Sequence, residues 1–574
     1  MTPSDEQQKI IDAPLGPIAV TACAGSGKTA TAIRRLVAMR QLMGPSRGRV
    51  ALLSFSNVAV DTFEKGYQQL ASTLPDSASR RRVEVDTLDG FFTKHVLRPH
   101  AYRTMGASQA AYLVTGSEPF LNAYKYWRDP FPITAADVGV GFVDQKPIFY
   151  YSSSGDIEVL DQEKASILVT QLGRTGAYTH DLGRYWCYQT LSQQPCVLRA
   201  LAKRYPQLLI DESQDLGMLH QAILELLMGA GVHVSLIGDS NQGIYGFAGA
   251  DGTFLRTYHE RPGVAKFGLT TNYRSLPPII DLANLLSGRK DRPDRKPGLE
   301  TSGAYFIGYK ESELPALMDV FKAQIDALGL KHEDAVVLSR TADRAVKLAG
   351  GATIPGQGLV ETFARASICR DQSDHLHDAF KLVCLGVYGL LKAPPNGLVA
   401  KLTGSPQEPW LRHLRRLLWG FTRDKAKGLP SSALLAKSQW HPLLLERIRA
   451  LVKTIHTEFG IETADNLGNK LAKKGLDETP LKASADIAAG NRPGMRVETV
   501  HQVKGESIDA VLYVAKKPQV ESLLAGVGSE EGRIGYVAVT RARNLFLLGV
   551  PNSAIKDLRG PLLDAGFQEL AKAK

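Results

Sequence analysis

Cysteine is scarce and irregularly placed: Cys23, Cys187, Cys196, Cys369 and Cys384 are the only five in 574 residues. An odd count with no C-x-x-C spacing excludes a zinc cluster and a disulfide framework, leaving buried apolar thiols in a reducing compartment. Long hydrophobic runs are missing too. No stretch approaches the roughly 20 apolar residues that span a bilayer, and Met1 to Ile11 is polar, with no apolar core or small-residue cleavage site. A cytoplasmic protein with no membrane association is therefore expected. No internal repeat or low-complexity tract stands out, which sets repeat architectures aside. Acidic residues are outnumbered, 58 against 69 Lys and Arg, giving a net charge of +11 and a pI near 9.2. That balance fits a polyanionic partner, because Lys and Arg release counterions from phosphates. Charge alone does not decide the matter, since many basic proteins bind no nucleic acid specifically.

Hydrophobic residues make up 44% and charged residues 22%, the balance of a globular protein, and the length calls for several domains. Short β-rich runs at Pro17–Thr21, Val50–Ser54 and Val83–Thr87 alternate with amphipathic segments, an α/β doubly wound pattern. From about His100 to Ala200 the periodicity becomes irregular, as an insertion would. Strand-like runs return at Gln207–Ile210, Val232–Ile237 and Lys266–Leu269, so the first lobe is expected to be discontinuous. A mixed-charge loop at Arg289–Lys296 precedes a second α/β pattern, with Ala335–Ser339 as a strand, which resumes at Arg496–Val500 and Ala510–Val514. The intervening stretch, about Leu391 to Gly490, reads as mostly helical. There Leu411, Leu414, Leu418 and Phe421 recur at helical spacing, while Arg412, Arg415 and Arg416 face elsewhere.

Ala22-Cys23-Ala24-Gly25-Ser26-Gly27-Lys28-Thr29 follows a strand and opens a helix, the context a P-loop requires. The glycines let backbone N–H groups turn toward phosphate oxygens, and the helix N-terminus adds a favourable dipole. Lys28 is expected to reach the β- and γ-phosphates and Thr29 to place its hydroxyl on Mg²⁺. A second site begins where Leu208-Leu209-Ile210 runs into Asp211-Glu212-Ser213-Gln214-Asp215. Carboxylates at the end of a buried strand suit a metal-phosphate site, with Asp211 on Mg²⁺ and Glu212 taking a proton from the attacking water.

Later segments are more specific. Gly238-Asp239-Ser240-Asn241-Gln242-Gly243-Ile244-Tyr245-Gly246-Phe247-Ala248-Gly249-Ala250 resembles motif III of the UvrD, Rep and PcrA helicases. Thr271-Asn272-Tyr273-Arg274-Ser275 resembles motif IV, Val500–Glu506 motif V, and Tyr536–Arg543 motif VI. With Ser54–Ala59 and Thr87–Phe92 as motifs Ia and Ib, all occur in family order. The chain thus resembles superfamily 1A DNA helicases of the UvrD/Rep group. The resemblance implies two RecA-like P-loop lobes, α/β with parallel sheets flanked by helices, each interrupted by a mainly helical insertion. Lobe 1A would take residues 1–95 and 200–275, insertion 1B residues 96–199, lobe 2A residues 276–390 and 491–574, and a short insertion 2B residues 391–490. ATP would lie between the lobes, with Gln7 on adenine, Tyr273 stacked on the base, and Gln242, Arg274 and Arg541 approaching the γ-phosphate. Glu506 would contact the ribose or the facing lobe.

Single-stranded DNA, or the strand of a tailed duplex, is implied to cross both lobes on the face away from ATP. Phe55, Asn57, Tyr245 and Phe247 match positions that hold bases in the family, with core packing the alternative for Phe55 and Phe247. Thr87 and His501 are implied backbone contacts, a structural histidine being the alternative for His501. Ala30 and Gly246 depart from arginines frequent in the group. Asp89-Gly90-Phe91-Phe92, with Arg98-Pro99, is also similar to the helicase-like subunit of the Gabija anti-phage system, which works with a nuclease partner. The function expected is an ATP-dependent, 3′–5′ single-strand translocase or helicase in DNA repair, replication or antiviral defence. The alternative is an ATP-gated DNA sensor that regulates a partner nuclease.

Overall fold

The computed structural model describes residues 2–71, 81–116, 118–128, 132–153, 156–244, 246, 249–296, 302–341, 344–345, 348, 356–371, 376–395, 398–404, 408–476, 478–481 and 495–570. Among them, six parallel strands form a first sheet: β1 (Ile18–Ala22), β2 (Val50–Ser54), β3 (Val83–Thr87), β4 (Gln207–Ile210), β5 (His233–Gly238) and β6 (Ala265–Leu269), in spatial order β6-β1-β5-β4-β2-β3. A second parallel sheet holds β7 (Gly303–Tyr309), β8 (Ala335–Ser339), β9 (Arg496–Thr499), β10 (Ile508–Val514), β11 (Ala542–Pro551) and β12 (Gln568–Glu569), in order β9-β8-β10-β11-β7-β12. Read from β12 to β9, the second sheet has the same order as the first once its strands are counted from its own first. The molecule is α/β, built of two lobes of RecA-like form.

Strand side chains alternate between faces, so each sheet supplies two cores. On the first, Ala51, Leu53, Leu208, Ile210 and Leu236 face one cluster while Val50, Leu52, Leu209 and Ile237 face the other. On the second, Phe306, Val336, Leu338, Phe546 and Leu548 oppose Tyr305, Ile307, Val337, Leu512 and Leu547.

Between β3 and β4 lies the first insertion, whose helices Gln162–Arg174, His180–Gln193 and Pro195–Arg204 share the core of the first lobe through Leu172, Trp186 and Leu191. It also carries an antiparallel meander of Val138–Val143, Lys146–Ser153 and Asp156–Val159. The second insertion has a core of its own, running from Val360 to Leu481 around the buried Trp440. Helices Leu359–Asp371 and Leu376–Tyr388, expected in lobe 2A, pack in that core, with Phe380 stacked on Trp419 at 4.2 Å. Ala379, Phe380, Val383 and Val387 form one apolar face matched by the helix Pro409–Arg423. Among the cysteines, Cys23, Cys187 and Cys384 are buried as expected and Cys196 is exposed. Among the described residues no helix is long and apolar enough to cross a membrane.

Candidate active site

The loop after β1 is held from both sides. Gly25 and Gly27 sit at φ +69° and +79°, a region L side chains rarely enter. A Cβ on Gly25 would lie 2.4 Å from Arg274 Cβ, and one on Gly27 2.7 Å from Gln7 Nε2. Gln7 is buried, with both ends of its amide engaged: Nε2 donates to Ser26 O at 3.0 Å, and Oε1 accepts from Ser4 N at 3.1 Å in a capping box. Its amide therefore steadies the loop. On the other flank Tyr273 N donates to Gly25 O at 2.9 Å, and Asn272 Oδ1 accepts from Arg274 N and Ser275 N at 2.8 and 3.0 Å. The helix Lys28–Leu42 that follows begins at Gly27 with no side-chain cap and no acidic residue in its first turn. Its leading N–H groups and dipole are thus available to an anion.

Beyond β4, Asp211 is 2% exposed, and its Oδ1 is buried with no hydrogen-bond partner. Burial and the adjacent Glu212 push the Asp211 carboxyl up, a state that a neighbouring cation would reverse. Glu212 takes φ +51°, unusual for a side chain with a Cβ, and its Oε1 lies 3.6 Å from Lys28 Nζ. Burial works to raise Glu212, but the charges of Lys28 and Lys504 and a hydrogen bond from Gln214 outweigh it and hold the carboxyl down. A chain of hydrogen bonds leads away from it. Gln214 Nε2 donates to Glu212 Oε2 at 2.5 Å, Asp239 N to Gln214 Oε1 at 3.0 Å, and Gln242 Nε2 to Asp239 Oδ2 at 3.0 Å.

From the second lobe, Arg541 completes that chain by donating Nη2 to Gln242 Oε1 at 2.9 Å. Its Nη1 donates to Glu506 O at 3.1 Å and its Nε to Val537 O at 3.2 Å, which fixes a guanidinium that is 2% exposed. Arg274 donates Nη1 to Thr540 O at 3.0 Å; burial, and then repulsion from Arg541, lower its pKa to about 9. Two like charges, the buried Arg541 and the half-buried Arg274, lie beside the acidic cluster and form a place that an anion would stabilise. Three residues that sequence reasoning did not single out tie the lobes together. Lys504 Nζ reaches Asp215 at 2.5 and 2.7 Å and Gln242 O at 2.7 Å, Arg533 Nε donates to Gly243 O at 2.6 Å, and Ile244, wholly buried, sits in the core of the second lobe. The hydrogen-bonded pairs are 262 to 290 positions apart, so no local spacing could have announced them.

The remaining candidates scatter. Phe55 is half-buried, edge-on to His220 at 5.8 Å, and Asn57 is exposed at the start of the helix Asn57–Leu70. The Thr87 hydroxyl accepts from Gly90 N at 3.0 Å as the cap of a short helix, so it is engaged within the protein. His501 is half-buried, its pKa lowered first by burial and then by Arg340. The Glu506 carboxylate turns to Arg496 of its own lobe at 2.9 Å, and its carbonyl accepts from Arg541. Tyr245 and Phe247 lie outside the described residues.

The family model for the UvrD/REP helicase N-terminal domain matches residues 3–138 and 150–262. The chain is 23% identical to YjcD of Bacillus subtilis (strain 168), over 95% of this chain and 78% of that protein. It is 24% identical to the ATP-dependent DNA helicase UvrD2 of Mycobacterium bovis, over 94% of this chain and 77% of that one. With DNA helicase II of Escherichia coli (strain K12) it shares 24% identity over 52% of this chain and 42% of the other. The matched segments contain the glycine-rich loop, the acidic strand end and the Gln242 segment, and over them the chain is similar to UvrD/Rep-like ATP-dependent DNA helicases.

Proposed function

We propose that this chain hydrolyses ATP in the cleft between its lobes and uses the cycle to move along single-stranded DNA, with 3′–5′ direction taken from the family resemblance. The observation that carries the reading is the hydrogen-bonded path Glu212–Gln214–Asp239–Gln242–Arg541, which begins at the acid of one lobe and ends on a cation of the other. Lys28 and the uncapped helix behind it hold phosphate oxygens, and Thr29 and Asp211 hold Mg²⁺. The orphaned Oδ1 of Asp211 fits that assignment. When bound, the ion neutralises phosphate charge and orients the nucleotide. Glu212, kept ionised by Lys28 and Lys504, accepts the proton of the attacking water. Arg274 and Arg541 answer the negative charge that grows on the transferred group, and Gln242 reports its state to the second lobe. Tyr273 and Gln7 border the base. Phe55, Asn57, Thr87, Tyr245, Phe247 and His501 are assigned to the DNA track, where aromatic faces hold bases without choosing sequence.

The test is phosphate release with and without single strands. Glu212→Gln is expected to lower turnover by about 10²–10⁴-fold while ATP still binds, and Arg541→Ala to slow turnover more than it weakens binding. Near-normal turnover in Glu212→Gln would remove the proposed base. Strand separation of a 3′-tailed but not a 5′-tailed duplex is expected of the purified chain.

A further inference from the structure

The two sheets share one strand order, so each position at the carboxyl edge of the first has a counterpart in the second. In the first lobe that edge carries the candidate ATP site: the phosphate loop after β1, Asp211-Glu212 after β4 and Asp239 after β5. The counterparts are Lys310 after β7, Ala515-Lys516 after β10 and Asn552 after β11. These segments surround a cavity of about 500 Å³ lined by Tyr309, Lys310, Glu311, Arg344, Lys516, Pro551, Asn552 and Ser553. Cavities at the carboxyl ends of parallel strands are where α/β folds bind ligands.

Its chemistry is inverted relative to the first lobe. The metal-type carboxylate pair is replaced by Ala515 and Lys516, and the lining holds three cations against one carboxylate, Glu311. Arg344 is about nine-tenths buried. It donates Nη2 to Tyr309 Oη at 2.6 Å and to Glu311 Oε2 at 3.0 Å, while its Nε is buried with no partner. A buried guanidinium with an unpaired N–H is a costly feature, and an anion in the cavity that Arg344 lines would offset that cost through the charge of the group. The helix Asn552–Asp564 starts on the same cavity with no side-chain cap and no acidic residue in its first turn. Glycine, in contrast, is missing between Tyr309 and Leu314, so no backbone cradle for a polyphosphate exists here. Lys310 is engaged by Glu313 at 2.8 Å and Arg344 by Glu311 at 3.0 Å, so the exposed Lys516 is the cation most available to a ligand and Arg344 adds a buried positive charge beside it.

We propose that the carboxyl edge of the second lobe is an accessory site for one phosphate dianion, bound directly by Arg344, Lys516 and the Asn552 helix start without a divalent metal. Free phosphate and the terminal phosphate of a nucleoside monophosphate share that chemistry. The proposal does not depend on the assignments in the cleft. The experiment is equilibrium dialysis of the full chain carrying Lys28→Ala, which silences phosphate binding at the glycine-rich loop, against labelled inorganic phosphate and against AMP, in EDTA. Saturable binding of one equivalent is expected, weakened at least about tenfold by Lys516→Ala and unaffected by Lys437→Ala on a distant helix. Lys516 lies at the surface, so its variant folds even if Arg344→Ala does not. Tighter, Lys516-dependent binding of AMP identifies a nucleotide site, and equal affinities identify a phosphate site. Absence of saturable binding of either probe, or binding indifferent to Lys516→Ala, overturns the proposal.

Discussion

Lys504 joins the lobes by a charge that neither lobe's local sequence explains. Its partner Asp215 is pushed up to about 6 by burial even with the ammonium beside it, so at neutral pH the pair is ionised but poorly solvated, and each member depends on the other. Replacing Lys504 by Met keeps the length of the side chain and deletes the charge. Hydrogen exchange in the Asp239–Ile244 segment should then accelerate, and DNA-stimulated hydrolysis should fall because Gln242 loses its anchor. Unchanged exchange there would show that Arg533, Arg541 and Ile244 hold the segment without Lys504. At this scale the sequence was most readable where chemistry is local. Gly25, Gly27, Lys28, Asp211 and Glu212 sit on a strand–loop–helix and a strand end whose order is visible in the chain. Gln7 was legible as a position but not as a contact, since its engagement with Ser4 and Ser26 depends on the capping box of one helix meeting the start of another.

Among the elements, the short helix Leu88–Phe92 connects three parts of the molecule through one side chain. Asp89 accepts from Arg184 of the insertion at 2.7 and 3.0 Å and meets His220 of the first lobe at 2.8 Å. Phe91 and Phe92 of the same helix are buried, so a packing role accounts for this tetrapeptide. Burial opposes the charge on Asp89, but His220 and Arg184 prevail and hold the carboxyl well below its ordinary 3.8. A carboxylate depressed by folding contributes stability that is present above 3.8 and is lost as pH falls below it. Asp89→Asn should lower stability by about 1–2 kcal/mol at pH 7, and the gap between the melting temperatures of the two proteins should close as pH drops below 3.8. A constant gap would mean that shape, not charge, is what Asp89 supplies. Strands with clear flanking turns, such as Val50–Ser54 and Ala335–Ser339, were legible with the observed bounds. Gly303–Tyr309 was not, because glycines at 303 and 308 interrupt its apolar pattern. The meander of the first insertion was hidden for the opposite reason: its turn uses Asp144 and Gln145 at φ +48° and +61°, with no glycine to mark it.

Over the whole molecule, the excess positive charge is concentrated in part on the second insertion, where Lys401 to Pro430 is rich in Lys and Arg and holds few acidic residues. Leu411, Leu414 and Leu418 of the helix Pro409–Arg423 are buried, while Arg412 and Arg416 are exposed. Arg415 is partly engaged, 5.8 Å above the Phe380 ring and donating to Gly404 O. Converting Arg412 and Arg416 to Ala should weaken binding to a tailed duplex and reduce its logarithmic salt slope by roughly 0.9 for each phosphate no longer neutralised, with binding to a short single strand nearly unchanged. Equal weakening on both substrates would show that this helix is no separate duplex-binding surface. The helical character of that insertion was legible in the sequence, whereas its packed cluster is recognised only when its helices meet.

The junction between Arg541 and Ala542 has no intervening loop: the helix ends at one residue and β11 starts at the next. That strand lies inside the second sheet, bonded to β10 on one side and β7 on the other. Mechanically this is a short coupling. A displacement of the Arg541 backbone crosses only the short irregular stretch from Ala542 to Leu545, where the register against β10 shifts, before it meets the regular ladder in the middle of the sheet.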